Sequence, residues 1–144
     1  DYDEEIRKLA SEHPKWIKLI ERTNNLEDLK EIFRKGDIFL MPSKYETFGL
    51  VYIEAMSQGL PIVFSEGQGI DGFFKTGEVG FSVNPNDING YIEKLYLIIE
   101  NYTEISTNCS LNASQFSWLD ISRNYVDIYK QFSKSEPNFK KLCI

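Results

Sequence analysis

Two glutamates, Glu46 and Glu54, stand seven residues apart around the turn Thr47-Phe48-Gly49-Leu50. An ionised carboxylate accepts two or more O–H hydrogen bonds, so this residue type suits the hydroxyls of a sugar or a ribose. The apolar run from Ile38 to Met41 stops at Pro42, and the turn leads into a helix-forming stretch. The first N–H groups of such a helix, around Phe48, Gly49 and Leu50, lack intrahelical acceptors and can cradle a phosphate, with the helix dipole adding attraction. Gly49 removes a side chain where a ligand would approach the backbone closely. Glu54 then stands about five residues into the helix, roughly 7–8 Å along its axis. One carboxylate in the loop and one on the helix would grip opposite ends of an extended ligand. A plainer reading fits the same residues. Ser43-x-x-Glu46 before an apolar run also has the form of a helix capping box, which would leave Glu54 a solvated helix residue. Spacing alone leaves both open.

The elements that must position these residues follow from periodicity. Residues 37–41 form an apolar run without alternation, as expected of a parallel strand buried on both faces. A helix is predicted over 48–58, ending at Gly59, and a second buried strand over 60–64. Residues 65–79 are Gly-rich and irregular; a short strand over 80–83 closes at Asn84-Pro85. Asp87 caps a helix reaching Glu100, with Ile92, Leu95, Tyr96 and Ile99 on one face. Helical stretches over 103–115 and 118–133 follow. Upstream, residues 1–12 read as a charged helix with Ile6, Leu9 and Ala10 as its apolar face, ended by Pro14. Residues 16–20 read as a short strand, Asn24-Asn25 as a turn. Residues 26–34 read as an amphipathic helix carrying Leu26, Leu29, Ile32 and Phe33, with Gly36 at its C-terminal end. Strands alternating with helices imply βαβ units: a Rossmann-like open parallel sheet with flanking helices. Ligands bind outside the carboxyl ends of such strands, and residues 43–48 lie at one.

Composition narrows the classes. The 144 residues suffice for a single domain, and 42% hydrophobic and 14% aromatic residues can build a core. A net charge of −6 argues against nucleic acid as a partner, since phosphate binding leaves a basic footprint. Two cysteines, Cys109 and Cys143, make no disulfide framework and point to a reducing, cytoplasmic setting. Residues 1–12 lack the apolar core of a secretory signal, and no run approaches the length of a membrane span. The sequons at Asn101, Asn108 and Asn112 then carry no meaning beyond composition. His13, the sole histidine, precedes Pro14 at a helix end and reads as structural or exposed, and Lys44 reads as solvated. No His/Asp/Cys cluster suggests a metal.

Gly67-Gln68-Gly69-Ile70-Asp71-Gly72 is a literal G-x-G-x-x-G after an apolar strand, the form of a dinucleotide fingerprint. The fingerprint must open a helix, whereas Thr76-Gly77 and Gly80 interrupt this chain within two turns. No acidic residue closes a following strand about 20 residues on. Asp71 before Gly72 fits a turn former as well as a ligand contact. Phe73 and Phe74 fit plain packing better than a cover over a nucleobase.

PSKYETFGLVYIEAMSQGLPIV resembles the signature of retaining GT-B glycosyltransferases of family 4, the glycosyl transferases group 1. LEDLKEIFRKGDIFLMPS, TGEVGFSVNPND and FSWLDISRNYVDIY resemble flanking segments of the same family, over about residues 1–133. The resemblance implies the incomplete C-terminal half of a GT-B enzyme, with a nucleotide-sugar-binding domain over 1–134 and a tail over 135–144. It implies transfer of a sugar from a nucleotide-sugar donor to a glycan or lipid acceptor, as in polysaccharide biosynthesis, without a metal or other cofactor. By position, Glu46 would touch the transferred sugar and serve catalysis, Glu54 would hold the ribose, and Thr47 and the amides of Phe48, Gly49 and Leu50 would meet the diphosphate or sugar. Gly67-Gln68-Gly69 stands where the family carries adjacent glycines, as flexible backbone beside the donor. The family's Arg and Lys that neutralise the diphosphate, and its N-terminal acceptor-binding domain, precede the aligned part. The chain by itself is therefore expected to transfer little, to expose a sheet edge and to self-associate. The intact enzyme would contact a membrane peripherally. A non-catalytic nucleotide-sugar-binding or protein-interaction domain is the alternative.

Overall fold

The computed structural model describes residues 1–133. The expected tail over 135–144, and Cys143 with it, lie outside them. The chain divides into two compact units, one over Asp1–Ile32 and one beginning at Phe33.

In the first unit α1 spans Tyr2–Glu12, with Asp1 as its N-cap and Ala10 buried. The expected strand over 16–20 does not form. The N–H groups of Trp16 and Ile17 both donate to the His13 carbonyl (2.9 Å each), so this backbone is spent on a turn. Trp16 stays 87% exposed. Strand propensity is realised only where a ladder partner and a packing face exist. Helix α2, Leu26–Arg34, crosses the division between the units; Gly36 closes it through a bond from its N–H to the Phe33 carbonyl.

The second unit is built on three parallel strands in the order β1-β2-β3: Phe39–Leu40, Ile62–Ser65 and Gly80–Val83. Phe39 pairs with Ile62, and Ile62 in turn with Gly80. All four residues of β2 are buried, as an unalternating apolar strand should be. β1 departs from that expectation: it is an edge strand, and Leu40 is exposed while Phe39 packs edge-on against Phe33 and Tyr52. Helix α3, Leu50–Ser57, connects β1 to β2 and buries Tyr52, Ile53, Ala55 and Met56. The link from β2 to β3 is a series of turns. The G-x-G-x-x-G therefore opens no helix, and the dinucleotide reading falls.

Helix α4, Ile88–Glu100, is capped by the Asp87 side chain, which accepts from the Gly90 N–H. Its inward face is not the one expected. Ile98 is buried, whereas Ile92, Tyr96 and Ile99 are exposed. The helix carries apolar residues on more than one side, so periodicity alone selected the wrong stripe. Helix α5, Tyr102–Ala113, packs on α3 and buries Ile105 and Cys109. A 3-10 turn, Ser114–Phe116, leads to α6, Trp118–Ser133. Among the described residues, no helix is long and apolar enough to cross a membrane.

Candidate functional site

Helix α3 is apolar almost all round, and its exposed positions Leu50, Glu54 and Ser57 fall at i, i+4 and i+7. This single uncovered stripe forms one wall of a cleft of about 520 Å³. Phe48, Ala113, Phe116, Trp118 and Ile121 supply the rest of the lining. Ser57 turns its hydroxyl back to the Glu54 carbonyl (2.6 Å). The Glu54 carboxylate has no partner among the described residues and stands at an otherwise apolar wall. Glu54 is exposed, so solvent reaches its carboxylate.

The capping-box reading is excluded by the helix start. Helix α3 begins at Leu50, with Gly49 as its N-cap and no side-chain cap. Gly49 adopts φ 82°, the left-handed region, and a Cβ there would run into the Tyr52 ring. The Phe48, Gly49 and Leu50 N–H groups donate to nothing among the described residues, which leaves them directed at whatever occupies the helix start.

Glu46 does not line the cleft. It is held against the glycine loop: its N–H donates to Gln68 Oε1 (3.2 Å), and the Gly69 N–H donates to its carbonyl (3.0 Å). The carboxylate folds back so that Oε1 accepts from the Thr47 N–H (3.0 Å). Gly69 is not the flexible element expected. It sits at φ 54°, where a Cβ would lie 2.8 Å from Glu46 Cγ and 3.0 Å from the Phe48 carbonyl oxygen. Its role is close backbone approach. Asp71 plays the turn-forming part, its Oδ2 accepting from the Gly67 N–H at 2.7 Å.

Tyr52 stands beneath this loop, 1% exposed. Its hydroxyl donates to the Met41 carbonyl at 2.7 Å, and its ring packs edge-on against Phe39 and Phe64. Burial, helped by the nearby Glu46 carboxylate and Tyr91, pushes its phenol up to about 12. Phe48, half-buried, packs its ring against Phe73 (5.2 Å) and Phe116 (5.8 Å), tying the loop over 66–79 to the floor of the cleft. Phe74 joins through Phe116. The phenylalanines thus pack, as the simpler expectation had it. Sequence reasoning missed Gln68, Tyr52, Phe116 and Trp118; the only signal for the first was a long side chain in a glycine run. Lys44 and His13 are exposed. Among the described residues no group of three or more His, Cys, Asp or Glu could hold a metal ion.

The family model described as glycosyl transferases group 1 matches residues 1–116. The chain belongs to the glycosyl transferases group 1 family. This member is 35% identical to the sulfoquinovosyl transferase of Arabidopsis thaliana over 103 residues, 69% of the chain and 20% of that protein. It is 30% identical to the D-inositol 3-phosphate glycosyltransferase of Corynebacterium kroppenstedtii over 117 residues, 79% of the chain and 26% of that protein. Its structure superposes on sucrose-phosphate synthase from Thermosynechococcus elongatus with a TM-score of 0.76 and 25% identity, covering 91% of this chain and 34% of that one. It also superposes on Anabaena HepE, solved in complex with UDP-glucose, with a TM-score of 0.75 and 22% identity, covering 91% and 37%. The group 1 chain thus spans between a fifth and little more than a third of these proteins, and its fold is the Rossmann-like part of a GT-B architecture.

Proposed function

We propose that this group 1 domain binds the nucleotide-sugar donor of a GT-B glycosyltransferase, with Glu54 on the ribose hydroxyls and Glu46 on the transferred sugar. The observation that carries the reading is Glu54, an unpartnered carboxylate on the one exposed stripe of a buried helix, facing a cleft. The free N–H groups of Phe48, Gly49 and Leu50 at the start of the same helix suit the diphosphate, with Thr47 beside them. An ionised acceptor gains about 1.5–3 kcal/mol per hydrogen bond, enough to fix a ribose. HepE, which shares the fold, is seen with UDP-glucose, in keeping with such a donor.

In the intact protein the bond from the anomeric carbon to the diphosphate breaks and a bond to an acceptor oxygen forms, with retention of configuration. The acceptor, a glycan or lipid, gives its hydroxyl proton to the departing diphosphate, which balances the charge of the step. Negative charge develops on the departing diphosphate, so donors aimed at it are stronger interactions in the transition state than in the ground state. Glu46 contributes by holding the sugar in orientation, and neither a metal nor another cofactor enters. A second GT-B domain supplies the acceptor site. The intact enzyme acts in the cytoplasm, in peripheral contact with a membrane. The chain alone transfers little.

Calorimetric titration with UDP-, GDP- and ADP-sugars and with the free nucleoside diphosphates tests this. Glu54→Ala should weaken sugar conjugate and free nucleotide alike, by about 10–100-fold. Glu46→Ala should weaken only the conjugate. Unchanged affinity in both variants would show that the site has been placed wrongly.

A further inference from the structure

The hydrogen bonds around Glu46 determine what is left over for a ligand. Its N–H meets Gln68 Oε1, its carbonyl meets the Gly69 N–H, and its carboxylate Oε1 meets the Thr47 N–H. A backbone N–H can only donate, so the Gln68 amide must face Glu46 with its oxygen. The Nε2 group is then the free end of that amide, carrying two donors. A carboxylate has two oxygens, and here the second, Oε2, is the free one. Among the described residues neither Gln68 Nε2 nor Glu46 Oε2 takes part in a hydrogen bond. Both residues are half-buried. One acceptor and one donor are thus left on two residues whose segments are tied by the bond from the Glu46 N–H to Gln68 Oε1 and by that from the Gly69 N–H to the Glu46 carbonyl.

We propose that Gln68 is a specificity-determining residue: Glu46 Oε2 accepts from one sugar hydroxyl while Gln68 Nε2 donates to its neighbour. The proposal deepens the donor-site reading and rests on its assignment of Glu46 to the sugar. A carboxylate alone takes a hydroxyl from many directions and discriminates weakly. An acceptor and a donor on residues tied to each other make demands on two hydroxyls at once. Inverting or removing one of them leaves a half-buried donor unpaired, and an unmade bond costs more than a made one gains. Backbone at this position offers no side-chain donor, so Gln68 adds a contact that a pair of glycines could not.

The test is calorimetric titration of the full chain and two variants, Gln68→Ala and Gln68→Glu. The probes are UDP and GDP, UDP-glucose and GDP-mannose, and analogues of each sugar lacking one hydroxyl. Gln68→Ala removes the donor; Gln68→Glu still accepts from the Glu46 N–H and keeps the loop in place, but turns the free end into a charged acceptor to which a sugar hydroxyl can still donate. For one hydroxyl position the wild-type chain should lose about tenfold in affinity on deletion, and Gln68→Ala no more than about twofold. Affinity for the free nucleotide should not change. If Gln68→Ala shows the wild-type pattern of deletion costs, or weakens every sugar by one factor, Gln68 merely supports the loop and the proposal is overturned. A wild-type chain that binds none of the probes overturns the donor-site reading and this proposal with it, an outcome read without either variant.

Discussion

Replacing Gly69 by alanine should do more damage than replacing Gly67 two residues earlier, although both adopt left-handed φ (54° and 69°). The backbone term is common to the two. A Cβ in this region costs about 1–2 kcal/mol, offset by about 0.4–1 kcal/mol from the stiffer unfolded chain. At Gly67 nothing lies within 4 Å of the added atom, so the loss should stop near 1 kcal/mol. At Gly69 the atom would meet Glu46 Cγ at 2.8 Å and the Phe48 carbonyl oxygen at 3.0 Å. The Glu46 stem can swing, but the carbonyl belongs to the backbone and the Glu46 carbonyl is bonded to the Gly69 N–H. Relief therefore requires the two loops to part. Overpacking of this kind costs about 1–3 kcal/mol more, for a total of about 2–4 kcal/mol. Urea unfolding followed by circular dichroism gives both stabilities, and the same samples titrated with a nucleotide-sugar report on Glu46. The difference between variants isolates the contact, because the conformational cost cancels. If Gly69→Ala matches Gly67→Ala within about 0.5 kcal/mol and binds as the wild type does, close approach at Gly69 is not what holds Glu46.

Two further outcomes follow from the buried hydroxyl and thiol. Tyr52→Phe keeps the ring packing but loses the 2.7 Å bond to the Met41 carbonyl. That carbonyl retains the Ser43 N–H, so the cost should be about 1 kcal/mol, a melting shift of about 3–8 °C by calorimetry; a shift of zero would refute it. The Cys109 thiol is pushed up to about 12 from 9.0 by burial, and the Tyr52 phenol up to about 12 from 10.0, chiefly by burial as well. Both therefore stay neutral in the folded chain at a pH where the unfolded chain ionises. The unfolded state then binds fewer protons, so stability should hold below pH about 9 and decline as pH rises toward about 12. Urea midpoints measured from pH 7 to 11 check the sign, and a midpoint that rises or stays flat above pH 10 contradicts it.

What could be read from the sequence was whatever short-range periodicity decides. Strand β2 is an apolar run with no alternation, and its burial on both faces follows directly. Glu54 was placed because a helix start and a rise per residue fix its position along α3. Residues 16–20 were misread because β-branched and aromatic character is satisfied only by a ladder, and the backbone there had a nearer acceptor in His13. The inward face of α4 was misread because Ile92, Tyr96 and Ile99 repeat at helical spacing as well as the buried stripe does.

The fine structure of the Glu46 side was hidden for a different reason. Its determining contacts run across 22 and 23 residues, to Gln68 and Gly69, and no local period encodes a hydrogen bond of that span. A motif names Glu46 and spaces it from Glu54. The placement of its backbone, on both the N–H and the carbonyl side, is set by a loop that sequence patterns describe only as glycine-rich. The two glutamates therefore differ in kind. Glu54 is positioned by its own helix, while Glu46 depends on hydrogen bonds to Gln68 and Gly69 in the loop that follows β2.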